Sequence, residues 1–172
     1  MLRIGVLADT HFHGVKEGVA FLEELAARYW TGVDIILHAG DLVNPDILMA
    51  FPDKVVHAVR GNMDPPAGDL PERRIITVNG FRIGLIHGWG EPDSLEEKIL
   101  PVFRGHSLDC LVYGHSHRPA CHVKDGILLF NPGSPTDRRR APFHSVGILE
   151  LGEKLSGRIV RIDVEQRQPA PV

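Results

Sequence analysis

Short apolar runs that end abruptly in polar residues dominate the first third of the chain. Residues 2–8, Leu-Arg-Ile-Gly-Val-Leu-Ala, predict a strand that is buried on both faces. Residues 33–37 and 54–59 repeat this pattern. Between the first two runs, apolar residues from Val15 to Tyr29 step by four and three, which predicts a helix closed by Gly32. This order predicts a βαβαβ beginning.

The rest of the chain is rich in predicted strands. Residues 74–78 and 81–86 alternate, and Asn79-Gly80 between them is a strong signal for a two-residue hairpin turn. Ser94 and Glu97 have capping-box spacing, which predicts a helix that runs to Phe103. Further strands are predicted at 108–113, 121–123, 126–130, 145–151 and 157–164. The pattern indicates an α/β (α+β layered) domain with two sheets.

Length and composition indicate one ordinary globular domain. Of the 172 residues, 43% are hydrophobic and 24% are charged. We expect a single domain over 1–165 and a frayed C-terminal tail over 166–172. The net charge of −3 argues against a broad electrostatic surface for nucleic acid. The short basic run 138–140 fits a solvated loop, with contact to one phosphate as the alternative.

The cysteines and the hydropathy indicate a cytoplasmic protein. Cys110 and Cys121 fall in apolar, strand-like segments, and we expect both to be reduced thiols of the core. No secretory signal and no apolar run long enough to span a membrane are recognised. Two cysteines without CxxC spacing do not predict a sulfur-rich metal site.

Two histidines directly after an apolar strand are the first candidate for chemistry. Residues 111–118 read Leu-Val-Tyr-Gly-His-Ser-His-Arg. On an extended strand end, His115 and His117 would point the same way, with α-carbons about 6.6 Å apart. Such a pair by itself is more often a surface feature than a metal site. The interpretation therefore depends on whether other strand ends supply matching ligands.

Other predicted strand ends do supply oxygen and nitrogen donors. The seven candidate metal ligands are Asp9, His11, Asp41, Asn62, His87, His115 and His117. Each alone could be a turn residue or a core histidine, but together they are enough for two ions that share a bridging carboxylate. Asp41, preceded by Gly40, is the natural bridge. Imidazole and carboxylate ligands without thiolate suit borderline ions such as manganese, iron, zinc, nickel or cobalt.

These residues resemble the five motifs of the calcineurin-like metallophosphoesterases, in the same order. The motifs are Asp9-x-His11, Gly40-Asp41, Gly61-Asn62-x-Asp64, His87-Gly88 and Gly114-His115-x-His117. The short length and the segments 84–88 and 131–134 look most like the small single-domain phosphodiesterases of bacteria and archaea. The resemblance covers residues 4 to about 164. It implies a four-layer αββα sandwich with two mixed β-sheets flanked by helices.

The resemblance also implies a ligand set and a mechanism. One metal would bind Asp9, His11, Asp41 and His117. The other would bind Asp41, Asn62, His87 and His115. The expected cofactors are two divalent ions per chain, with manganese first and iron, zinc, nickel or cobalt as alternatives. In such enzymes a hydroxide held between the metals attacks phosphorus, because metal binding lowers the pKa of water from 15.7 to about 7.

One position departs from the pattern of many phosphatases in the superfamily. Met63 stands where they carry a histidine that serves as general acid, and the small phosphodiesterases often have cysteine there. General acid catalysis is typically worth about 10²–10⁴-fold. We therefore expect phosphodiesters with good leaving groups, including cyclic nucleotides or aryl diesters, to be preferred substrates.

Four further features lie near the motifs and have expected roles of their own. His13 could donate a proton instead of Met63. The more usual outcome for such a histidine is a position behind the metal ligands or on the surface. We expect His38 either to orient a ligand or to be a buried, hydrogen-bonded histidine. Asp64 is expected to brace the Asn62 loop, and residues 131–134 to shape a turn beside the site.

A protein-binding scaffold of the same fold, similar to a retromer subunit, is the alternative function. Intact metal-ligand positions favour an enzyme over such a scaffold, in which the motifs are degraded. The expected partner is a small phosphodiester substrate. A nucleic-acid processing role is a third alternative, since enzymes of this type include nucleases, but the composition of this chain does not indicate a basic groove. Neither a membrane nor stably bound nucleic acid is expected, and a homodimer is plausible.

Overall fold

Ten strands and two α-helices make up residues 1–162, the part of the chain that this computed structural model describes. The strands are β1 (Leu2–Leu7), β2 (Ile35–His38), β3 (Val55–Ala58), β4 (Arg73–Val78), β5 (Phe81–Ile86), β6 (Cys110–Val112), β7 (Ala120–Lys124), β8 (Ile127–Asn131), β9 (His144–Leu151) and β10 (Leu155–Ile162). The helices are α1 (Val15–Tyr29) and α2 (Leu95–Ile99).

The strands form two mixed sheets of five strands each, in the orders β10-β9-β1-β2-β3 and β4-β5-β6-β8-β7. In the first sheet, β1, β2 and β3 are parallel, whereas β9 and β10 run antiparallel. In the second sheet, β5, β6 and β8 are parallel, and β4 and β7 form antiparallel edges. The mixed sheets confirm the predicted α/β fold class.

Three apolar clusters correspond to the three interfaces between four layers. Helix α1 and the 3-10 segment Pro45–Ala50 cover the outer face of the first sheet through a cluster around Leu22 and Ile36. Residues of both sheets, among them Val6 and Phe130, pack between the sheets. Helix α2 covers the second sheet around Ile99 and Leu111. The order helix–sheet–sheet–helix is the predicted αββα sandwich.

Most predicted elements are found within one or two residues of their expected bounds. Helix α1 covers Val15–Tyr29 as predicted. Asn79 and Gly80 have φ values of 50° and 83°, the positive values that the predicted hairpin turn needs. The last strand is described to Ile162, so its predicted end at residue 164, the domain boundary at 165 and the frayed tail over 166–172 lie outside the described residues.

Three sequence-based expectations are wrong. The helix predicted to run to Phe103 is α-helical only over Leu95–Ile99, and Leu100–Phe103 is 3-10, because Pro101 has no N–H to continue the α-helical pattern. Ser94 makes no capping bond from its side chain. The link from β2 to β3 is a 3-10 segment rather than a helix.

Cys121 also departs from expectation. Cys110 is buried, but Cys121 is exposed, because β7 is an edge strand of the second sheet. Its Sγ faces the Gly157 carbonyl oxygen at 3.3 Å. Among residues 1–162, no helix has the length and apolar character needed to cross a membrane.

Phe130 packs against Gly147 and Gly157 of the other sheet. This contact offers a test of the interface between the sheets. A Cβ at Gly147 would collide with the Phe130 ring and lie 3.2 Å from Val6 Cβ. We expect Gly147→Ala to lower the free energy of unfolding by about 1–3 kcal/mol, because the added methyl overpacks the core. Urea unfolding measures the change.

Gly152→Ala is the matched control, since a Cβ there would meet only Met1, at 3.7 Å. The control should change stability by less than about 0.5 kcal/mol. Equal stability of the two variants would contradict the packing described here.

Candidate metal centre

The predicted ligands come from loops that follow neighbouring strands of the two sheets. Asp9 and His11 follow β1, Asp41 follows β2, and Asn62 follows β3. His87 comes directly after β5 in the second sheet, and His115 and His117 follow β6. Since the carboxyl ends of parallel strands lie at one edge of a sheet, the topology brings these loops together.

The buried Asp9 carboxylate lies among three imidazoles. Its Oδ1 is 3.5 Å from His117 Nε2, 3.8 Å from His87 Nε2 and 4.0 Å from His11 Nε2. His11 and His117 also approach each other, with 3.3 Å between their Nε2 atoms. Residues predicted from three separate motifs therefore meet around one carboxylate.

Asp41 lies between His11 and His87. Its Oδ2 is 3.4 Å from His87 Nε2 and 3.6 Å from His11 Nε2. Its other oxygen, Oδ1, accepts a hydrogen bond from the Met63 backbone N–H at 2.8 Å. One oxygen is thus held by the backbone while the other faces histidines that the sequence assigns to different ions.

Asn62 and His115 complete the cluster on the His87 side. Asn62 Oδ1 is 3.0 Å from His87 Nε2 and 3.3 Å from His115 Nδ1. All seven predicted ligands are therefore near at least one other member of the set. Two subsets have ligand atoms close enough together to hold a metal ion: Asp9, His11 and His117, and Asp9, Asp41 and His87.

The prediction that His115 and His117 lie on an extended strand end and point the same way is wrong. Strand β6 ends at Val112, and neither His115 nor His117 lies on an extended strand end. Their φ values are 69° and 59°, in the left-handed region. His115 reaches Asn62, whereas His117 reaches Asp9, because the loop turns at each histidine.

Left-handed backbone conformations concentrate in this centre. Among the candidate ligands, Asp9, His11, Asp41, His115 and His117 all have φ between 48° and 69°. Such conformations cost non-glycine residues about 1–3 kcal/mol each and cluster at functional sites. The fold therefore holds these side chains at a conformational cost that the surrounding contacts must offset.

Glycine is required at two motif positions because neighbouring groups leave no space for a Cβ there, and not because φ is positive. A Cβ at Gly114 would lie 3.0 Å from Asp9 Oδ2 and 2.9 Å from Ala8 Cβ. A Cβ at Gly61 would collide with the Asp41 carboxylate. The glycines preceding Asn62 and His115 thus let backbone pass directly beside the candidate ligands.

Backbone carbonyl groups orient three of the histidines. His87 Nδ1 lies 2.7 Å from the Ala39 carbonyl oxygen, and His117 Nδ1 bonds to the Asp137 carbonyl oxygen. His115 instead places Nε2 at 3.0 Å from the Gly90 carbonyl oxygen. A ring nitrogen that donates to a carbonyl leaves the other nitrogen as a free electron-pair donor, directed here into the cluster.

Asp64 braces the loops, as predicted, and does so for two of them. Its Oδ2 accepts from the backbone N–H groups of Asp41 and Gly61, at 2.8 Å and 2.7 Å. Its Oδ1 accepts from Val43 N–H at 2.7 Å. The carboxylate therefore fixes the Asp41 loop relative to the Asn62 loop.

His38 is a buried, hydrogen-bonded histidine that connects the first two motifs. Its Nδ1 accepts from Gly40 N–H at 3.1 Å, and its Nε2 lies 3.0 Å from Thr10 Oγ1. Burial lowers its pKa to about 3, with His87 adding to the effect. The neutral imidazole positions the residues beside Asp9 and Asp41.

The segment 131–137 supports the site from the other side, which agrees with the predicted structural role of 131–134. Asn131 Nδ2 donates to the Gly114 carbonyl oxygen at 3.1 Å. Ser134 Oγ donates to the Asp9 carbonyl oxygen at 2.8 Å, and Thr136 Oγ1 donates to that of Thr10 at 2.9 Å. Sequence analysis missed Thr136 because a hydroxyl–carbonyl contact between distant segments has no sequence signature.

The basic run is also placed next to the centre. Arg139 Nη1 donates to the His115 carbonyl oxygen at 3.3 Å. Its charge contributes to lowering the pKa values of His11, His115 and His117, for which burial is the larger cause. The alternative that this run could contact a phosphate is therefore compatible with its position.

The state of Asp9 tests whether these residues fit a metal ion. Both carboxylate oxygens are buried and accept no hydrogen bond of good geometry among residues 1–162, although the His115 backbone N–H is close enough to act on the pKa of Asp9. Burial raises the pKa of Asp9 to about 7, although nearby His87 opposes the change. A buried carboxylate without a partner is costly, and a cation is the group that would satisfy it. The residues present therefore fit divalent metal.

The pKa of Asp41 is shifted in the opposite direction to that of Asp9. Burial acts to raise its pKa, but the hydrogen bond and charge of His87, together with the Met63 N–H, lower it to about 2. The pKa of His117 is lowered to about 4, chiefly by burial. Burial acts to lower the pKa of His87, but its hydrogen bond with Asp41 and the charge of Asp9 raise it overall. Metal ligands need ionised carboxylates and neutral imidazoles, so metal binding here would release a proton from His87.

The fold and the site together define a layered α/β domain with aspartate and histidine groups positioned to bind metal. The profile of the calcineurin-like phosphoesterase superfamily domain matches residues 2–154. The chain therefore belongs to this superfamily, as the sequence motifs predict.

Proteins of archaea are similar over almost the whole chain. A "Probable metallophosphoesterase" of Methanothermobacter thermautotrophicus is 38% identical over 163 residues, covering 92% of this chain and 91% of that protein. A similarly named protein of Methanocaldococcus jannaschii is 36% identical, covering 93% and 81%. This similarity supports membership of the family for the whole described domain.

Solved structures agree on the fold. A Streptococcus pneumoniae protein described as a predicted phosphoesterase has a TM-score of 0.76 and 24% identity, covering 93% of this chain and 89% of that one. A novel archaeal phosphodiesterase has a TM-score of 0.73 and 19% identity, covering 94% and 100%. Vps29 of Entamoeba histolytica, solved in complex with zinc, has a TM-score of 0.67 and 25% identity, covering 93% and 99%.

The unpartnered carboxylate predicts how metal affects stability. We expect divalent metal at 100 times its dissociation constant to raise the free energy of unfolding by about 2.7 kcal/mol. Asp9→Asn should remove this gain, yet leave the metal-free protein equally or more stable, because a neutral amide replaces a buried charge. Thermal unfolding with chelator and with added manganese measures both effects.

Asp46→Asn is the control, because Asp46 is exposed on the 3-10 segment Pro45–Ala50. This variant should keep the full metal-dependent gain. An unchanged gain in Asp9→Asn would show that metal binds elsewhere.

Proposed function

We propose that this protein is a phosphodiesterase that binds two divalent metal ions and hydrolyses a small phosphodiester. The observation that carries the proposal is the cluster of the seven predicted ligands at one edge of the sheets, in which the buried Asp9 carboxylate belongs to both groups of residues close enough to hold a metal ion. Membership of the calcineurin-like phosphoesterase superfamily and similarity to an archaeal phosphodiesterase support the reaction class.

The proposed ligand set follows the sequence motifs. Asp9, His11, Asp41 and His117 would hold one ion. Asp41, Asn62, His87 and His115 would hold the other. Asp41 Oδ2 lies between His11 and His87, which supports its role as the bridge. When bound, the two ions would polarise the phosphoryl oxygens and lower the pKa of water to supply a nucleophile. Manganese is the first expectation because the donors are imidazole and oxygen.

The remaining residues of the site would position these ligands and offset charge. The Met63 N–H holds Asp41 Oδ1, so that Oδ2 faces the histidines. The carbonyl groups of Ala39 and Asp137 hold His87 and His117 in one ring orientation. The Arg139 guanidinium, next to His115, would attract the anionic diester.

The Met63 side chain leaves one catalytic role open. It is 52% exposed and has no proton to give to the departing alkoxide. Hydrolysis adds water to phosphorus, and the leaving oxygen must take up a proton or depart as an anion. Among diesters that bind equally well, those whose leaving groups are stable anions should therefore react faster in the chemical step.

A protein-binding scaffold is the second candidate. It is favoured by the similarity of the fold to Vps29, whose zinc complex has a TM-score of 0.67 with this chain. Metal binding alone does not separate the two functions, so turnover is the deciding measurement. A homodimer and a cytoplasmic location remain predictions.

The direct test is a panel of phosphomonoesters and phosphodiesters with manganese, zinc, iron, nickel and cobalt. We expect diester hydrolysis that requires metal. Asp41→Ala should lower kcat/KM more than the roughly 100-fold typical for a residue that only supports a ligand. Asp46→Ala should leave it unchanged. Absence of hydrolysis with any metal would favour the scaffold, and faster turnover of an alkyl monoester would exclude the diester preference.

Met63→His tests the open role of the general acid. We expect about a tenfold or greater rise in kcat on diesters with alkyl leaving groups and little change on 4-nitrophenyl diesters. The half-exposed side chain should accept imidazole without loss of stability. Met49→His is the control because Met49 is 69% exposed and lies on the 3-10 segment Pro45–Ala50. An equal rise on both substrate types would contradict the role.

A further inference from the structure

A large cleft opens directly beside the metal centre. Asn62 and His87 form part of its wall, so the cleft is continuous with the candidate ligands. Its volume is about 870 Å³. Small-molecule sites commonly occupy about 300–1,000 Å³, so the cleft is large enough for much more than a phosphoryl group.

An aromatic side chain stands on the cleft wall. Trp89 is 48% exposed, and it is flanked by Gly88 and Gly90, both with positive φ. Isolated exposed apolar residues are common on protein surfaces. Trp89 differs because it lines the cleft and directly follows Gly88, next to His87, while the Gly90 carbonyl bonds to His115. Trp89 therefore belongs to the loop that carries His87, and the backbone of that loop contacts His115.

The cleft also contains a cation without an acidic partner. Arg60 and Arg73 both line it, and Arg60 is paired with Glu72, at 2.5 Å between Nη2 and Oε1. Arg73 donates only to the Val102 carbonyl oxygen, at 3.2 Å, and it forms no ion pair within residues 1–162. Its charge is therefore available to an anion in the cleft.

We infer that the substrate is a nucleotide-type diester whose base stacks on Trp89 and whose second phosphate binds Arg73. This inference rests on the proposed phosphodiesterase function and names its substrate class. Base stacking on an aromatic side chain tolerates any base, whereas a guanidinium favours a phosphate. Together they distinguish a phosphorylated nucleotide diester from a plain alkyl or aryl diester.

The inference is tested with the dinucleotide pApA and with ApA, which lacks the 5′-phosphate. The manganese-loaded protein should hydrolyse pApA with a kcat/KM about tenfold above that for ApA. Arg73→Ala should remove this difference by slowing pApA and leaving ApA unchanged. Arg74→Ala is the matched control: Arg74 is the next residue of β4, lies near His57 and does not line the cleft.

Trp89 is tested by substitution and by fluorescence without turnover. Trp89→Ala should raise KM for both dinucleotides about tenfold, and Trp89→Phe should restore most of the loss. In chelator, pApA should quench tryptophan emission with saturation. Trp89→Phe, which retains only the buried Trp30, should lose this quenching.

The outcomes separate this inference from the proposed function. Hydrolysis of bis(4-nitrophenyl) phosphate by the unsubstituted protein tests the function alone. If that diester is hydrolysed while pApA is not preferred over ApA and does not quench Trp89, the substrate class is wrong and the function stands. If no diester is hydrolysed but pApA still quenches Trp89 and depends on Arg73, the cleft binds a nucleotide and the reaction is wrong.

Discussion

The buried Asp9 carboxylate is the constraint around which the rest of the site is arranged. It lies after the end of β1, between His11 of the same loop and the histidines of two other loops, His87 and His117, and neither carboxylate oxygen has a hydrogen-bond partner of good geometry in the described chain. A charge in this position is costly unless a cation is bound. The left-handed conformations at Asp9, Asp41 and His117 add to that cost. The metal-free protein is thus locally destabilised at this site, and metal binding would offset that cost.

The surrounding scaffold is what makes this arrangement possible. Two mixed sheets packed face to face bring the ends of β1, β2 and β3 next to those of β5 and β6. Phe130 packs at the interface between the two sheets, and Asp64 fixes the Asp41 loop relative to the Asn62 loop within the first sheet's half of the site. Membership of the calcineurin-like phosphoesterase superfamily follows from both sequence and fold, whereas the proposed preference for a diester depends on residues that are not candidate ligands.

The similarity to Vps29 shows that this architecture also occurs in a protein that is not described as a phosphoesterase. Fold alone therefore does not decide between an enzyme and a scaffold. The features of this chain that bear on its substrate are Met63, Arg139 and the cleft residues Trp89 and Arg73. None of these side chains is a candidate ligand. They lie next to the centre and bear on which substrate would react and how fast.

The sequence by itself determined the fold class, helix α1, the hairpin at Asn79 and the identity of the candidate ligands. These follow from short-range patterns, because apolar periodicity and turn residues act locally. Only the tertiary structure decided that His115 and His117 turn toward different neighbours, that Cys121 is exposed, and that Thr136 and Asp137 support the site. Backbone dihedrals in loops and contacts between distant segments depend on how the sheets pack, and residue order does not encode them locally.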